Sequence, residues 1–201
     1  MPTHGAETGE DLAELLARVR ACRVCAPHLA AGPRPIIQFG ARARLVIVGQ
    51  APGSKVHASG IPWADASGDR LRAWIGIAPE VFDDPERVAL VPMGFCYPGK
   101  GVSGDLPPRT ECAPLWHDVL FSHLATDRLV LLVGGYAQQR YAGPLRKLSL
   151  TETVRRGQEL GAGLIPLPHP SWRSTSWVRD NPWFETEILP RLRRMVADAV
   201  A

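Results

Sequence analysis

The sequence contains no apolar run that approaches the roughly 20 residues of a membrane-spanning helix. Its first residues, MPTHGAETGEDL, have neither the basic start nor the apolar stretch of a secretory signal peptide. The chain also has no internal repeat and no low-complexity block. These absences predict a cytoplasmic protein that does not enter a membrane.

Two common phosphate-binding loops are missing as well. Neither G-x-x-x-x-G-K-S/T nor G-x-G-x-x-G occurs, which argues against a P-loop enzyme and a dinucleotide-binding domain. The composition favours a folded domain, because 45% of the 201 residues are hydrophobic. We expect a flexible tail over residues 1–8 and a single domain over residues 9–201. The formal net charge of +3 permits a polyanionic partner without requiring one.

Short apolar runs, rich in β-branched residues, alternate with segments of helical periodicity. Four runs suit strands that are buried on both faces, at residues 45–48, 88–91, 129–133 and 164–167. Apolar residues recur at helical spacing after residue 10, and further helices are predicted over residues 67–75, 113–124 and 182–199. This order predicts a three-layer α/β/α fold around a central, mostly parallel four-stranded sheet.

The loop after the first predicted strand is a candidate ligand site. Its sequence, Gly49-Gln50-Ala51-Pro52-Gly53, ends the apolar run with a glycine on either side of a proline that fixes its own backbone angle. Ligands bind at the carboxyl ends of the strands in open α/β sheets. An ordinary turn between a strand and a helix has the same pattern, so the loop alone does not identify a function.

Four cysteines are present, namely Cys22, Cys25, Cys96 and Cys112. Stable disulfides are not expected in a reducing compartment. Cys22-x-x-Cys25 places two thiols close enough to share a metal ion or to form a redox pair. Four thiolates suit a structural zinc ion or an iron–sulfur cluster, and the spacing does not choose between them. Four unrelated buried thiols are the remaining alternative.

Several motifs occur in a fixed order along the chain. In addition to the four cysteines they are Gly49-Gln50-Ala51-Pro52-Gly53, Gly60-Ile61-Pro62-Trp63 followed by Ser67-Gly68, Leu132-Val133-Gly134, Arg156-Gly157 and His169-Pro170-Ser171. This ordered set covers about residues 20–175 and resembles the uracil-DNA glycosylase superfamily, most closely its iron–sulfur-containing family 4 branch. The resemblance implies a uracil-DNA glycosylase-like fold and a DNA-repair hydrolase whose partner is DNA containing a deaminated base.

The resemblance also implies roles for individual residues. Such an enzyme takes the target base out of the helical stack and holds it in a pocket. The residues implied to bind the base are Gly49, Ala51, Pro52, Gly53, Trp63 and Met93, with the Trp63 ring stacked on it. Gln50 and His169 are implied to be catalytic, with His169 donating a hydrogen bond to the base oxygen that becomes negative. The residues implied to contact DNA are Ser171, Trp172, Arg173, Lys100 and Arg109.

The cysteines follow the ligand order of the resembled branch. The resemblance therefore implies that Cys22, Cys25, Cys96 and Cys112 bind a structural 4Fe-4S cluster, with zinc as the alternative. Either metal group would tie the N-terminal helix to the loop between Cys96 and Cys112. We expect the protein to act as a monomer.

Two positions depart from the pattern of the resembled branch. Gln50 stands where that branch has glutamate, and an amide cannot act as a general base, although it can orient a water molecule. Asp65 or Asp69 could supply the missing charge. Pro92 stands where the branch has an asparagine that reads uracil, so this amide is lost and Met93 makes the wall apolar.

These observations give three functional hypotheses. The first is a monofunctional DNA glycosylase that hydrolyses the N-glycosidic bond of uracil or another deaminated base and leaves an abasic site, since no lysine lies in a motif that suggests a lyase step. The second, favoured by Gln50 and Pro92, is a catalytically weak or inactive relative that binds damaged or single-stranded DNA. The third is an unrelated nucleotide- or phosphate-binding α/β enzyme that uses the 49–53 loop.

Overall fold

The computed structural model describes residues 11–161 and 163–201, so the tail predicted over residues 1–8 lies outside the described part of the chain. The strands are β1 Leu45–Val48, β2 Val88–Leu90, β3 Lys100–Gly101, β4 Gly104–Asp105, β5 Leu129–Val133 and β6 Leu164–Leu167. The α-helices are α1 Leu12–Ala21, α2 Ser54–Ser59, α3 Ala66–Ile75, α4 Pro79–Phe82, α5 Cys112–Ser122, α6 Gly135–Tyr141, α7 Leu150–Arg155, α8 Ser174–Asp180 and α9 Leu189–Val200. A π-helical turn, Phe184–Ile188, leads into α9.

The central sheet has four parallel strands in the order β2-β1-β5-β6. β1 lies in the middle, where Val46 pairs with Ala89 on one side and with Val130 on the other. All four residues of β1 are buried, as expected of a continuous apolar run covered on both faces. The predicted strands are therefore confirmed.

The two faces of the sheet contribute to two separate hydrophobic cores. Val46 and Val48 of β1 pack into the core that includes residues of α1, α5 and α6. Leu45 and Ile47, which point to the opposite face, pack into the core that includes residues of α3 and α9. Helices on both faces of a parallel sheet make the three-layer α/β/α fold that was predicted.

Two segments that the sequence indicates as loops contain regular structure. Helix α2 lies within the predicted loop after Gly53, and it ends at Gly60, whose φ of 77° is in the left-handed region. Strands β3 and β4 form a hairpin inside the predicted loop between Cys96 and Cys112. No helix of the described residues is both long and apolar enough to cross a membrane.

Candidate functional site

A cavity of about 410 Å³ opens at the carboxyl end of the central sheet. Its volume is in the range of about 300–1,000 Å³ that is typical of small-molecule sites. The lining of this cavity includes residues that the sequence singled out, namely the 49–53 loop, Trp63, His169, Ser171, Trp172 and Arg173. Parallel strands share one carboxyl edge. For this reason the fold brings the 49–53 loop, Trp63 and the turn that contains His169 together around one cavity.

The 49–53 loop is fixed to the segment that follows β2. The backbone N–H of Met93 donates to the carbonyl of Gly49 at 2.9 Å, and that of Gly94 donates to the carbonyl of Gln50 at 3.0 Å. The described lining of the cavity includes Pro92 but not Met93, so Met93 supports the loop through its backbone. The wall next to Gln50 thus lacks a side-chain amide at position 92, as the sequence indicates.

The Trp63 ring packs directly over the end of β1. A Cβ at Gly49 would lie 2.9 Å from Cζ2 of the ring, so a larger residue there would displace the indole. Trp63 itself has a φ of 57°, in the left-handed region that non-glycine residues rarely adopt. Such local strain persists only where surrounding structure holds it, and here the ring is held at the cavity wall.

His169 lies beside Trp63 on the same wall. The two ring centroids are 5.9 Å apart with an angle of 26° between the planes. Burial lowers the pKa of His169, and the nearby carboxylate of Asp65 opposes this shift in part. The imidazole is therefore neutral at pH 7 and can donate one N–H into the cavity.

Two aspartates were candidates to supply the charge that Gln50 lacks, and the structure separates them. Asp65 lines the cavity, where its Oδ1 accepts a hydrogen bond of 2.9 Å from the N–H of Gly68 and caps α3. Asp69 forms an ion pair with Arg72 at 2.6 Å, and its side chain is 77% exposed. Asp69 is not among the residues that line the described cavity.

The mouth of the cavity is formed by the turn after β6 and by the β3–β4 hairpin. Trp172 is 76% exposed at this mouth. Arg173 Nη2 donates to the carbonyl of Ser103, which ties the turn to the hairpin. Arg70 donates from Nη1 to the carbonyl of Ser171 at 2.7 Å and holds the turn from the other side.

The site contains residues that the sequence motifs did not single out. Asp105 of β4 lines the cavity, and the Tyr97 hydroxyl donates to its Oδ1 at 3.3 Å. Arg70 was missed because its partner Ser171 is 101 positions away in the chain. The glycines around residues 101–104 were an available signal for a tight hairpin.

Lys100 and Arg109 do not line the described cavity. Lys100 is exposed on β3, opposite Asp105 in the hairpin. Arg109 forms an ion pair of 2.5 Å with Glu111, and it lines the same small cavity as Cys25. The structure therefore places Arg109 beside the cysteines rather than on an open face.

Cys22, Cys25, Cys96 and Cys112 line one small second cavity, together with Arg109 and Trp116. Burial is the main cause that raises the pKa of Cys96 and raises the pKa of Cys112 to about 12. The neighbouring thiols add smaller upward contributions to both pKa values. Among the described residues, no group of three or more Cys, His, Asp or Glu side chains is arranged so that it could hold a metal ion. The thiols nevertheless fit a cationic metal centre chemically, because bringing four thiolates together requires positive charge among them.

The fold and this cavity define a three-layer α/β/α protein with an aromatic-lined pocket at the carboxyl ends of its parallel strands. A family model described as the uracil DNA glycosylase superfamily matches residues 37–193. The chain therefore belongs to the uracil DNA glycosylase superfamily. This membership supports a glycosylase-like role with DNA as the partner. The matched range begins after Cys22 and Cys25.

Proposed function

We propose that the protein is a monofunctional DNA glycosylase that hydrolyses the N-glycosidic bond of uracil or another deaminated base in DNA and leaves an abasic site. The observation that carries this proposal is that Gln50, Trp63 and His169 line one cavity in a member of this superfamily. The cavity volume of about 410 Å³ accommodates a single nucleobase.

In the proposed mechanism the base leaves the stack and enters the cavity, where it packs against the Trp63 ring. Cleavage of the bond to C1′ of the sugar leaves negative charge on the base and positive charge on the sugar. His169, which is neutral, donates its N–H to the base oxygen that becomes negative. Gln50 orients the attacking water through its amide.

The turn after β6 is the proposed DNA-contacting element. Ser171 and Arg173 lie at the cavity mouth, where a hydroxyl and a guanidinium suit phosphate oxygens. The Trp172 ring is 76% exposed beside them and is suited to fill the gap that the extruded base leaves. Exposed Lys100, on the neighbouring hairpin, adds positive charge to this face.

The test is a panel of single-stranded and mispaired oligonucleotides that contain uracil, xanthine or hypoxanthine, each incubated with the protein and then cleaved at abasic sites with alkali. We expect strand cleavage for at least one damaged base and none for the undamaged oligonucleotide. Retention of the oligonucleotides without base release would instead support a relative that only binds DNA, which the absence of side-chain amide readout at Pro92 favours. Absence of both binding and release at low salt, where phosphate contacts are strongest, would refute both hypotheses.

We further propose that the four cysteines hold a structural 4Fe-4S cluster, with zinc as the alternative. When bound, this group would tie the end of α1 to the segments that contain Cys96 and Cys112. The N–H of Phe95 already donates to Sγ of Cys112 at 3.3 Å, and the Arg109 guanidinium lines the same small cavity as the four cysteines. Donors of this kind stabilise the negative charge of a thiolate-bound cluster.

Anaerobically purified protein is expected to be brown and to contain iron and sulfide, whereas a colourless protein with one equivalent of zinc would identify the alternative. The Cys96→Ser variant is expected to lose the metal and to unfold at a lower temperature, because a cross-link between distant segments is removed. Ser122→Ala, at the exposed end of α5 opposite the end that carries Cys112, serves as the control. A wild-type protein that binds neither metal would contradict the proposal.

A further inference from the structure

The cavity contains a carboxylate that lies outside the sequence motifs. Asp105 is the last residue of β4, and its Oδ2 lies 3.5 Å from the position that a Cβ on Gly53 would occupy. Gly53 is the last residue of the loop that contains Gln50. The carboxylate therefore reaches the loop in which an amide stands in place of a charged side chain.

Asp105 is held in place by its neighbours. The Tyr97 hydroxyl donates to its Oδ1 at 3.3 Å, and β3 pairs with β4 so that Lys100 is opposite Asp105. The hairpin is anchored in turn, because Arg173 donates to the carbonyl of Ser103. In residues 11–161 and 163–201 no protein group donates a hydrogen bond to Oδ2 of Asp105, which leaves that oxygen available to a ligand.

The other carboxylates near the cavity are engaged with other partners. Asp65 uses Oδ1 to cap α3, and its charge acts on His169. A negative charge beside His169 disfavours negative charge on the departing base. Asp69 is engaged with Arg72 and does not line the described cavity. Oδ2 of Asp65 is also near this loop, 4.0 Å from the same Cβ position on Gly53. In the described part of the chain, Asp105 differs from Asp65 because it caps no helix and does not act on His169.

We propose that Asp105 is a catalytic residue that stabilises the positive charge on the deoxyribose, a task that Gln50 cannot perform. This assignment rests on the proposed glycosylase function. The bond between C1′ and the base nitrogen breaks, and its electron pair leaves with the base. The oxygen of water bonds to C1′, and Oδ2 of Asp105 takes the proton that the water loses. The proton then passes to the anionic base or to solvent, which balances the hydrolysis.

The test compares three variants, namely Asp105→Asn, Asp105→Glu and the exposed control Asp69→Asn. The single-turnover rate of excision is measured on the best substrate of the oligonucleotide panel. Binding is measured on the same sequence with a 2′-fluoro nucleotide that resists cleavage. Asp105→Asn is expected to lower the rate about 100-fold, as is typical when one electrostatic contact to a transition state is removed. Its affinity for the 2′-fluoro oligonucleotide is expected to be undiminished.

Asp105→Glu is expected to recover part of the rate, because it keeps the charge, and Asp69→Asn is expected to match the wild type. A wild-type rate in Asp105→Asn would overturn the role of Asp105 and leave the glycosylase function standing. The catalytic role is also overturned if Asp105→Asn loses affinity and rate together and Asp105→Glu does not restore them, since that pattern indicates a structural role. A wild-type protein that releases no base overturns the glycosylase function, and the assignment of Asp105 with it.

Discussion

Replacing His169 with alanine is expected to lower the excision rate by about 100- to 1,000-fold, the effect of removing one preorganised donor to an oxyanion. The imidazole is neutral at pH 7, because burial lowers its pKa, so it donates an N–H without carrying a charge that would require counterions. Single-turnover excision by wild type and variant, under identical salt, measures the loss.

The fold of His169→Ala is expected to remain intact. Within the described ranges the imidazole of His169 forms no protein hydrogen bond, and it stacks with the Trp63 ring. His28→Ala is the matched control, because His28 is exposed in the connection before β1. His169→Gln keeps a donor and is expected to retain part of the rate. Equal rates in wild type and His169→Ala, with equal thermal stability, would remove His169 from the mechanism.

The central sheet is predictable from the sequence because its signal is local. The run at residues 45–48 is continuous, apolar and rich in β-branched residues, and all four residues are buried. Helix α9 is predictable for the same reason, since Leu189, Leu192 and Val196 recur at helical spacing and are buried together. Patterns of this kind depend on burial alone, so they do not require knowledge of tertiary contacts.

The hairpin β3–β4 is not predictable in this way. Each of its strands has two residues, too few to show any periodicity. The importance of Asp105 depends on its approach to Gly53, 52 positions earlier in the chain. That approach is set by how the segment after β2 returns to the sheet, and no local pattern indicates it.

The basic residues show the same limit. Lys100 and Arg109 are both charged residues in one Gly/Pro-rich segment, and the sequence gives them the same expected role. In the structure Arg109 pairs with Glu111 and lines the small cavity of the cysteines, whereas Lys100 is exposed. Arg193 lies in an arginine-rich stretch of α9, and its Nε donates to the carbonyl of Trp74 at 3.1 Å. Side-chain partners of this kind depend on packing between distant elements.

A buried histidine on α5 is the other feature that the sequence does not reveal. His117 has no exposed surface. Its Nδ1 is 2.6 Å from the Tyr141 hydroxyl and its Nε2 is 3.0 Å from the carbonyl of Pro92, which lines the cavity. The ring is close to parallel with those of Phe95 and Tyr141, at centroid distances of 5.8 Å and 5.9 Å. Burial lowers the pKa of His117 from 6.5 to about 4.

This arrangement makes the free energy of unfolding depend on pH. Between pH 6.5 and about 4 the unfolded chain protonates His117 while the folded chain keeps it neutral, so stability falls as the pH falls through this window. The full shift in the pKa of His117 corresponds to about 3 kcal/mol in the free energy of unfolding, a large part of a typical domain stability of about 5–15 kcal/mol.

Urea unfolding at pH 7, 5.5 and 4 measures this loss of stability. In His117→Phe, which keeps an aromatic ring next to Phe95 and Tyr141, we expect lower stability at pH 7 and a shallower decline of stability with falling pH. His169 and the carboxylates contribute equally to wild type and variant, so the difference between their two curves of stability against pH isolates His117. Parallel curves would show that His117 does not titrate in this window.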